Sequence, residues 1–333
     1  YTSAYTHVYR HGPGIAGTKD PEIKKGCKKA MKEMTTEIVV VAGGPAGLSA
    51  AVQAAEDGAQ VILLEKAATC GGAANMGMGP LGIGTKYQKN QMLDISVEKA
   101  FNMFMEYTHY MVDARLVKRY FAQSAETIEW LEDKGVEFEG AYRYFPKSEA
   151  TWHIVKTDQG IGPRAASFMN RKLYECALEL GVQIFTETPA KKIIMEDGKV
   201  AGVLATDKDG EEVKINCKAA IIATGGAGAN PEMIKQETGF DFGVNMFNFA
   251  IPGIMGDGMK MAWEAGAAKS QVRIEMAASV EGTDSLPQSV PNVFSQPNLL
   301  VNRHGKRFMN EDHMQNTTYL SNAVSKQKDC IGF

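Results

Sequence analysis

Residues Val41 to Leu48 read V-A-G-G-P-A-G-L, a spacing suited to a phosphate-linked dinucleotide. Such a ligand needs backbone amides at a helix N-terminus aimed at its pyrophosphate, and glycine wherever a side chain would block the approach. In the G-x-G-x-x-G register the three positions are Ala42, Gly44 and Gly47, so alanine replaces the first glycine. Alanine reaches fewer turn conformations than glycine. Taken alone, the variant fits an ordinary glycine-rich strand-to-helix turn as well as it fits a cofactor site. Glu65 adds weight, because it lies 21 residues after Gly44, and an acid about 20 residues on is placed to accept hydrogen bonds from ribose hydroxyls. Directly afterwards comes a second glycine-rich loop, Gly71-Gly72-Ala73-Ala74-Asn75-Met76-Gly77-Met78-Gly79.

That second loop separates two cofactors. A nicotinamide site of the common dehydrogenase type has no use for another close backbone approach there, whereas FAD runs on along a ribityl chain to its isoalloxazine and does. The sequence therefore points to FAD. An NAD-binding dehydrogenase would explain only the first fingerprint.

The elements that must position these residues are legible around them. The apolar run Ile38 to Val41 stops at Gly43-Gly44-Pro45; a small-residue helix, Ala46 to Asp57, follows and is closed by Gly58. A second strand, Val61 to Leu64, completes a strand-helix-strand unit whose right-handed crossover makes the strands parallel neighbours. The fold class is α/β: a Rossmann-like domain with a parallel sheet. Helical patterns run from about Ile95 to Tyr110, Ala114 to Lys134 and Pro163 to Leu180, the last two ended by Gly135 and Gly181. A strand at Val182 to Thr186 is followed by a three-stranded antiparallel meander, Lys191 to Met195, Val200 to Thr206 and Glu211 to Asn216, joined through Asp197-Gly198 and Asp209-Gly210 turns. The fully apolar Ala219 to Ala223 reads as a strand buried on both faces, and a helix near Gly258 to Ala265 comes next. We divide the chain into a leader or linker (1–36), an FAD-binding domain (37–268) and the start of a cap, or substrate, domain (269–333), where the text turns polar and Pro287, Pro291 and Pro297 cluster.

Composition narrows the partners. The 333 residues are 44% hydrophobic, enough for a large core, and the net charge of −3 with both signs mixed argues against nucleic acid or an anionic membrane as the target. A small molecule is the expected partner. The five cysteines are odd in number and scattered, with no C-x-x-C pair to suggest a metal site. They fit a reducing compartment, so a soluble cytoplasmic protein is expected. Because the chain starts at Tyr1 rather than Met, an exported form stays open. No apolar run reaches the roughly 20 residues needed to span a bilayer.

From about Glu37 to Glu311 the sequence resembles the flavoprotein subunits of fumarate reductase and succinate dehydrogenase, with the soluble flavocytochrome-type reductases and 3-ketosteroid dehydrogenases. The resemblance rests on V-V-V-A-G-G-P-A-G-L-S-A-A, L-L-E-K, the Gly71-Gly72 loop, Thr188-Pro189-Ala190, A-T-G-G at Ala223 to Gly226, G-D-G at Gly256 to Gly258, and V-N-R-H-G-K-R-F-M-N-E ending at Glu311. Around the pyrophosphate we expect Gly43, Gly44, Pro45, Ala46 and Gly47; along the second loop, Gly71, Gly72, Ala73, Met78 and Gly79. The resemblance implies that Glu65 and Lys66 hold the adenosine ribose region and that Ala190 meets adenine through its backbone. It also implies that Ala223, Thr224 and Gly225 line the adenosine side and that Asp257 lies near the flavin end. Met76 and Met78 would face the flavin neighbourhood, or simply fill core gaps. Members that bond FAD covalently use a histidine in the loop after the ribose acid; residues 66–85 contain none, so non-covalent FAD is expected.

The resemblance breaks at the substrate. The arginine that donates a proton in fumarate reductases falls, four residues after N-E, on Gln315, and a neutral amide delivers no proton at ordinary pH. The family's T-E-x-x-R segment falls near Val290, Pro291 and Phe294, and no histidine occurs between His153 and His304. A dicarboxylate left without charged partners loses roughly 2–5 kcal/mol, which argues against fumarate or succinate. Glu311 and His313 are the nearest ionisable residues, either an acid or base for another reaction or plain loop residues. Trp152 and His153, in the insertion between Tyr142 and Gln159, are read either as contacts for substrate or partner or, as is commoner for a lone Trp-His pair, as local packing. The family closes its FAD site with a C-terminal glycine-rich segment that is not found before Phe333. The leading expectation is an FAD-dependent oxidoreductase moving a hydride between flavin and an activated C=C or C–C substrate. The alternative is a flavin-binding or electron-transfer subunit, non-catalytic or completed by another chain or a further segment.

Overall fold

Strict alternation along two short strands sets the layering. In β2 (Ile38–Val41), Val40 faces one core while Val39 and Val41 face another; in β3 (Val61–Leu64), Val61 and Leu63 join the first and Ile62 and Leu64 the second. All seven are buried, so the sheet is covered on both sides, as parallel sheets require. The computed structural model describes residues 31–144, 148–246, 251–270, 298–314 and 316–333.

The first core lies between the sheet and its helices. α1 (Pro45–Glu56) buries Gly47, Leu48, Ala51 and Val52, and these small residues let it approach both the sheet and α5 (Ala166–Glu179). α2 (Lys86–Asn90), α3 (Val97–Tyr107) and α4 (Ala114–Asp133) precede α5 in the chain. Ile128 and Leu131 of α4 join the first core, while Ile83, Ile95, Ala100 and Phe121 form a separate apolar cluster around α3 and the start of α4. Ser96 and Asp113 cap α3 and α4 with side-chain acceptors.

The second core lies between the sheet and the meander β7 (Ala190–Glu196), β8 (Lys199–Thr206) and β9 (Glu212–Asn216), whose Ile193, Val203, Ala205, Val213 and Ile215 pack onto Val39 and Ile62. The meander pairs antiparallel, with the expected turns: Asp197 and Gly198 both have positive φ, 49° and 75°. It gains a fourth strand not foreseen in the sequence. Lys32–Thr35, inside the expected leader, forms β1 and pairs parallel with β9. Residues 1–30 lie outside those described.

The parallel sheet runs β10-β2-β3-β6, with β6 at Gln183–Phe185 and β10 at Ala219–Ile222. One expectation is corrected here. β10 is not buried on both faces; it stands at the sheet edge, paired with β2, and its residues are half-buried or exposed. Also unforeseen is the hairpin of β4 (Phe138–Tyr142) and β5 (Trp152–Val155). The helices α6 (Pro231–Thr238) and α7 (Asp257–Glu264) follow β10, and a further helix covers Thr317–Ser325. Among the described residues, no helix is long and apolar enough to cross a membrane.

Candidate functional site

The strand order reverses at β2: β3 leads to one side and β10 to the other. Ligands of doubly wound sheets bind in the crevice beyond the C-terminal strand ends at such a switch point, and the expected cofactor residues gather there. The turn after β2 is held by main-chain bonds on two flanks, Ala42 N to Leu64 O at 2.7 Å and Ala223 N to Val41 O at 2.9 Å. Ala42 adopts φ +83°, the left-handed region that the fingerprint normally gives to glycine. Gly47 shows why the third position is fixed, since a Cβ there would lie 1.8 Å from the Ala42 carbonyl oxygen. Gly44, the N-cap of α1, contributes no side-chain cap, Pro45 takes the first turn, and a Cβ on Gly44 would meet nothing within 4 Å. Ala46, in the first turn of α1, is exposed. That arrangement suits an anion.

Glu65 ends β3 with its side chain nearly buried, and its two oxygens accept from Gly43 N and Ala67 N, both at 2.7 Å. The carboxylate therefore clamps the pyrophosphate turn to its own loop, a role the spacing rule did not foresee. The Thr188-Pro189-Ala190 segment is tied beside it, through Thr188 N to Glu65 O at 2.8 Å, which brings Ala190 to the same strand end. Lys66 Nζ reaches Gly253 O and Asp257 Oδ2, both at 2.7 Å. Lys66 and Asp257, assigned to opposite ends of the cofactor by the resemblance, are direct neighbours. Thr224 packs closely on α7, where a Cβ at Gly258 would lie 2.2 Å from its Oγ1, and Gly225 turns the chain at φ +72°.

The second glycine loop comes back over the first. Gly71 N donates to Gly43 O at 2.7 Å, and a Cβ on Gly72 would sit 3.5 Å from Gly44 Cα. Gly72 and the exposed Ala73 begin a 3-10 turn that ends at Met76. Asn170, buried on α5, was missed by periodicity reasoning. Its Nδ2 donates to Asn75 Oδ1 at 2.8 Å and Gly71 O at 3.3 Å, and so staples the loop to the helix layer. Cys70 sits beneath the turn, with Sγ 2.5 Å from where a Gly43 Cβ would be; burial and the nearby Glu65 charge push its thiol pKa up to about 11. A cleft of about 460 Å³ opens beside Cys70, Asn75 and Arg171. Met78 is half-buried and packs against the first core, while Met76 is 59% exposed.

Beyond Gly77 the loop runs along β5, through Val155 N to Met78 O (2.9 Å), His153 N to Pro80 O (2.8 Å) and Gly82 N to Thr151 O (2.8 Å). Trp152 Nε1 donates to Gly79 O at 2.9 Å. His153 is wholly buried, its ring bonded to Thr85 Oγ1 at 2.7 Å and Thr151 O at 3.1 Å; burial lowers its pKa, so it is a neutral structural group. A second cleft, about 510 Å³, begins at Leu81 and Trp152 and extends between α3 and the residues 312–319. Its walls include Tyr107, Tyr144, His313 and Tyr319, with His313 stacked on Tyr319 at 5.1 Å.

Glu311 is not a free acid or base. Arg307 grips it through Nε and Nη2 and Leu300 N donates at 3.1 Å; the Arg307 hydrogen bond, followed by the Leu300 amide, holds its carboxyl below the usual range. Val290, Pro291, Phe294 and Gln315 lie outside the described residues.

Residues 37–329 match the family described as FAD binding domain. The chain is 34% identical to a vinyl phenol reductase of Lactiplantibacillus plantarum, over 89% of this chain and 60% of that protein. It is 29% identical to a fumarate reductase (cytochrome) of Shewanella frigidimarina, over 91% and 52% respectively. It thus spans about half to three-fifths of the length of these curated relatives. The solved 3-ketosteroid-Δ4-(5α)-dehydrogenase of Rhodococcus jostii superposes with a TM-score of 0.76 at 24% identity, over 91% of this chain and 66% of that one, a likeness of fold.

Proposed function

The chain belongs to the FAD-binding domain family of flavoproteins, and on that premise we propose that it is the flavin-holding part of a reductase that moves a hydride between FAD and an activated carbon–carbon double bond, with a substrate other than fumarate or succinate. The observation that carries this reading is the meeting of the two glycine loops, Gly72 against Gly44, over the first turn of α1 with Glu65 fixed at the strand end. That geometry fits a long dinucleotide whose far half continues past the ribose. When bound, FAD supplies two-electron chemistry at its isoalloxazine ring. The chain's own residues orient it: the α1 amides take the pyrophosphate, and Gly71, Gly72 and Gly79 let the main chain approach the ribityl side. Lys66 and Asp257 close the crevice edge through their ion pair. No covalent link is needed in this reading, since residues 66–85 lack histidine.

The choice of substrate is supported from two sides. The relative from Lactiplantibacillus plantarum carries the name vinyl phenol reductase, and the described residues lining the larger cleft include neither lysine nor arginine to bind a dicarboxylate. The test has two parts. Acid precipitation should release flavin absorbance into the supernatant, and the flavin-loaded protein should oxidise a reduced viologen dye with neutral activated alkenes but not with fumarate. Fumarate turnover at a comparable rate would sink the substrate assignment. A flavin-bearing chain inert to every alkene would instead favour a flavin-holding subunit completed by another segment.

A further inference from the structure

We infer that the aromatic cleft beside Trp152 seats a neutral aryl ring carried by the substrate's double bond; this rests on the flavin reductase reading above. At about 510 Å³ the cleft has the size of a small-molecule site, which is about 300–1,000 Å³. Its lining holds two aromatic groups. Trp152 meets Tyr144 edge to face, centroids 5.1 Å apart at 68°. In the second, Tyr319 packs on Tyr107 at 5.5 Å and on His313 at 5.1 Å. Such walls present both ring faces and ring edges, the two surfaces on which a further ring packs favourably.

Charge selects against an acid. The carboxylates among the described lining residues are Glu149 and Asp312, and Glu149 is paired with Lys99 at 2.8 Å. An anionic ligand would find no lysine or arginine among the described lining residues, so it would forfeit its hydration without a charged partner. A neutral ring, or one bearing a hydroxyl donor, meets no such cost.

Position links the cleft to the chemistry. Trp152 Nε1 holds Gly79 O at 2.9 Å, and Leu81, which also lines the cleft, bridges to Trp152 through its main chain. The ring seat is therefore built onto the end of the loop that approaches the cofactor, and a double bond attached to a seated ring is delivered towards that loop.

The experiment is calorimetric titration of the flavin-loaded chain with 4-ethylphenol, a saturated aryl probe that cannot be reduced, against succinate, with flavin content recorded for every sample. We expect 4-ethylphenol to bind at one site and succinate not to bind. Trp152→Leu removes one wall, and Met103→Trp fills the cleft from a half-exposed rim position. Each should weaken 4-ethylphenol by about tenfold, or 1.4 kcal/mol, with flavin retained. Undetectable binding, affinity unmoved by both variants, or equal binding of succinate would overturn the assignment. Repeating the titration on flavin-stripped protein separates the two readings. A chain that binds the phenol yet never takes up flavin keeps its ring seat and loses the reductase assignment.

Discussion

The cofactor crevice and the aromatic cleft share a loop, but they are built from different parts of the polypeptide. The crevice is held by main chain, Gly71 N to Gly43 O and Ala42 N to Leu64 O, with one side-chain anchor, the Glu65 carboxylate that accepts from Gly43 N. The cleft is made of side chains drawn from Leu81 through Tyr319. A main-chain site tolerates few residue types, because its tolerance is measured in the space a single Cβ would need. A side-chain site can be rebuilt position by position while the loop beneath it stays the same. That difference explains how one cofactor frame can sit under relatives named for different substrates.

The sharpest way to break the comparison is Gly47→Ala. Its Cβ would fall 1.8 Å from the Ala42 carbonyl oxygen, so backbone must move. We expect a loss of about 3 kcal/mol, the upper part of the range for overpacking, together with loss of bound flavin, read by denaturant unfolding and the flavin-to-protein ratio. An unchanged ratio would show that the crevice adapts as freely as the cleft.

Acid should distinguish the two regions next. Next in the chain to Asp312 of the cleft lining, Arg307 and the Leu300 amide hold the Glu311 carboxyl below its ordinary value. A folded pKa below the unfolded one gives stability that is complete above the ordinary carboxylate value, about 4.3, and is lost as pH falls through the depressed value. Melting temperature should therefore decline on that acid limb in the parent chain, and Glu311→Gln should flatten the decline. Parallel curves would mean that the clamp contributes nothing to folding. The smallest effect is expected at Ala42→Gly. Removing a left-handed alanine at φ +83° relieves strain of about 1 kcal/mol, part of which the added chain entropy of glycine offsets. The unfolding midpoint should rise slightly with flavin content unchanged, and a fall would show that Ala42 is not strained.

Legibility in the sequence followed the same division. The β2-α1-β3 unit could be read because its valines alternate between two cores and because Gly43 and Gly47 sit where a Cβ would collide; Glu65 could be placed by counting. What Glu65 holds could not, since its bonds to Gly43 and Ala67 depend on how the loops turn. Asn170 escaped notice because a buried amide on a helix reads as a polar-face residue until the loop it staples is seen. The β4-β5 hairpin lacked a short turn between its strands and draws part of its pairing from residues 78–82. Ala219 to Ile222 misled through composition: an apolar strand at an edge looks like one at the centre.

Cys70 carries a consequence for chemical durability. Its sulfur lies beneath the Gly43 turn proposed to cradle the cofactor, a hazardous place for a group that oxidants and electrophiles attack. With its pKa pushed to about 11, only about one thiol in ten thousand is ionised at neutral pH, and the thiolate is the reactive form. Peroxide or an electrophilic metabolite therefore meets an almost inert sulfur, and the hinge of the cofactor turn keeps its shape where a more acidic cysteine would be steadily modified.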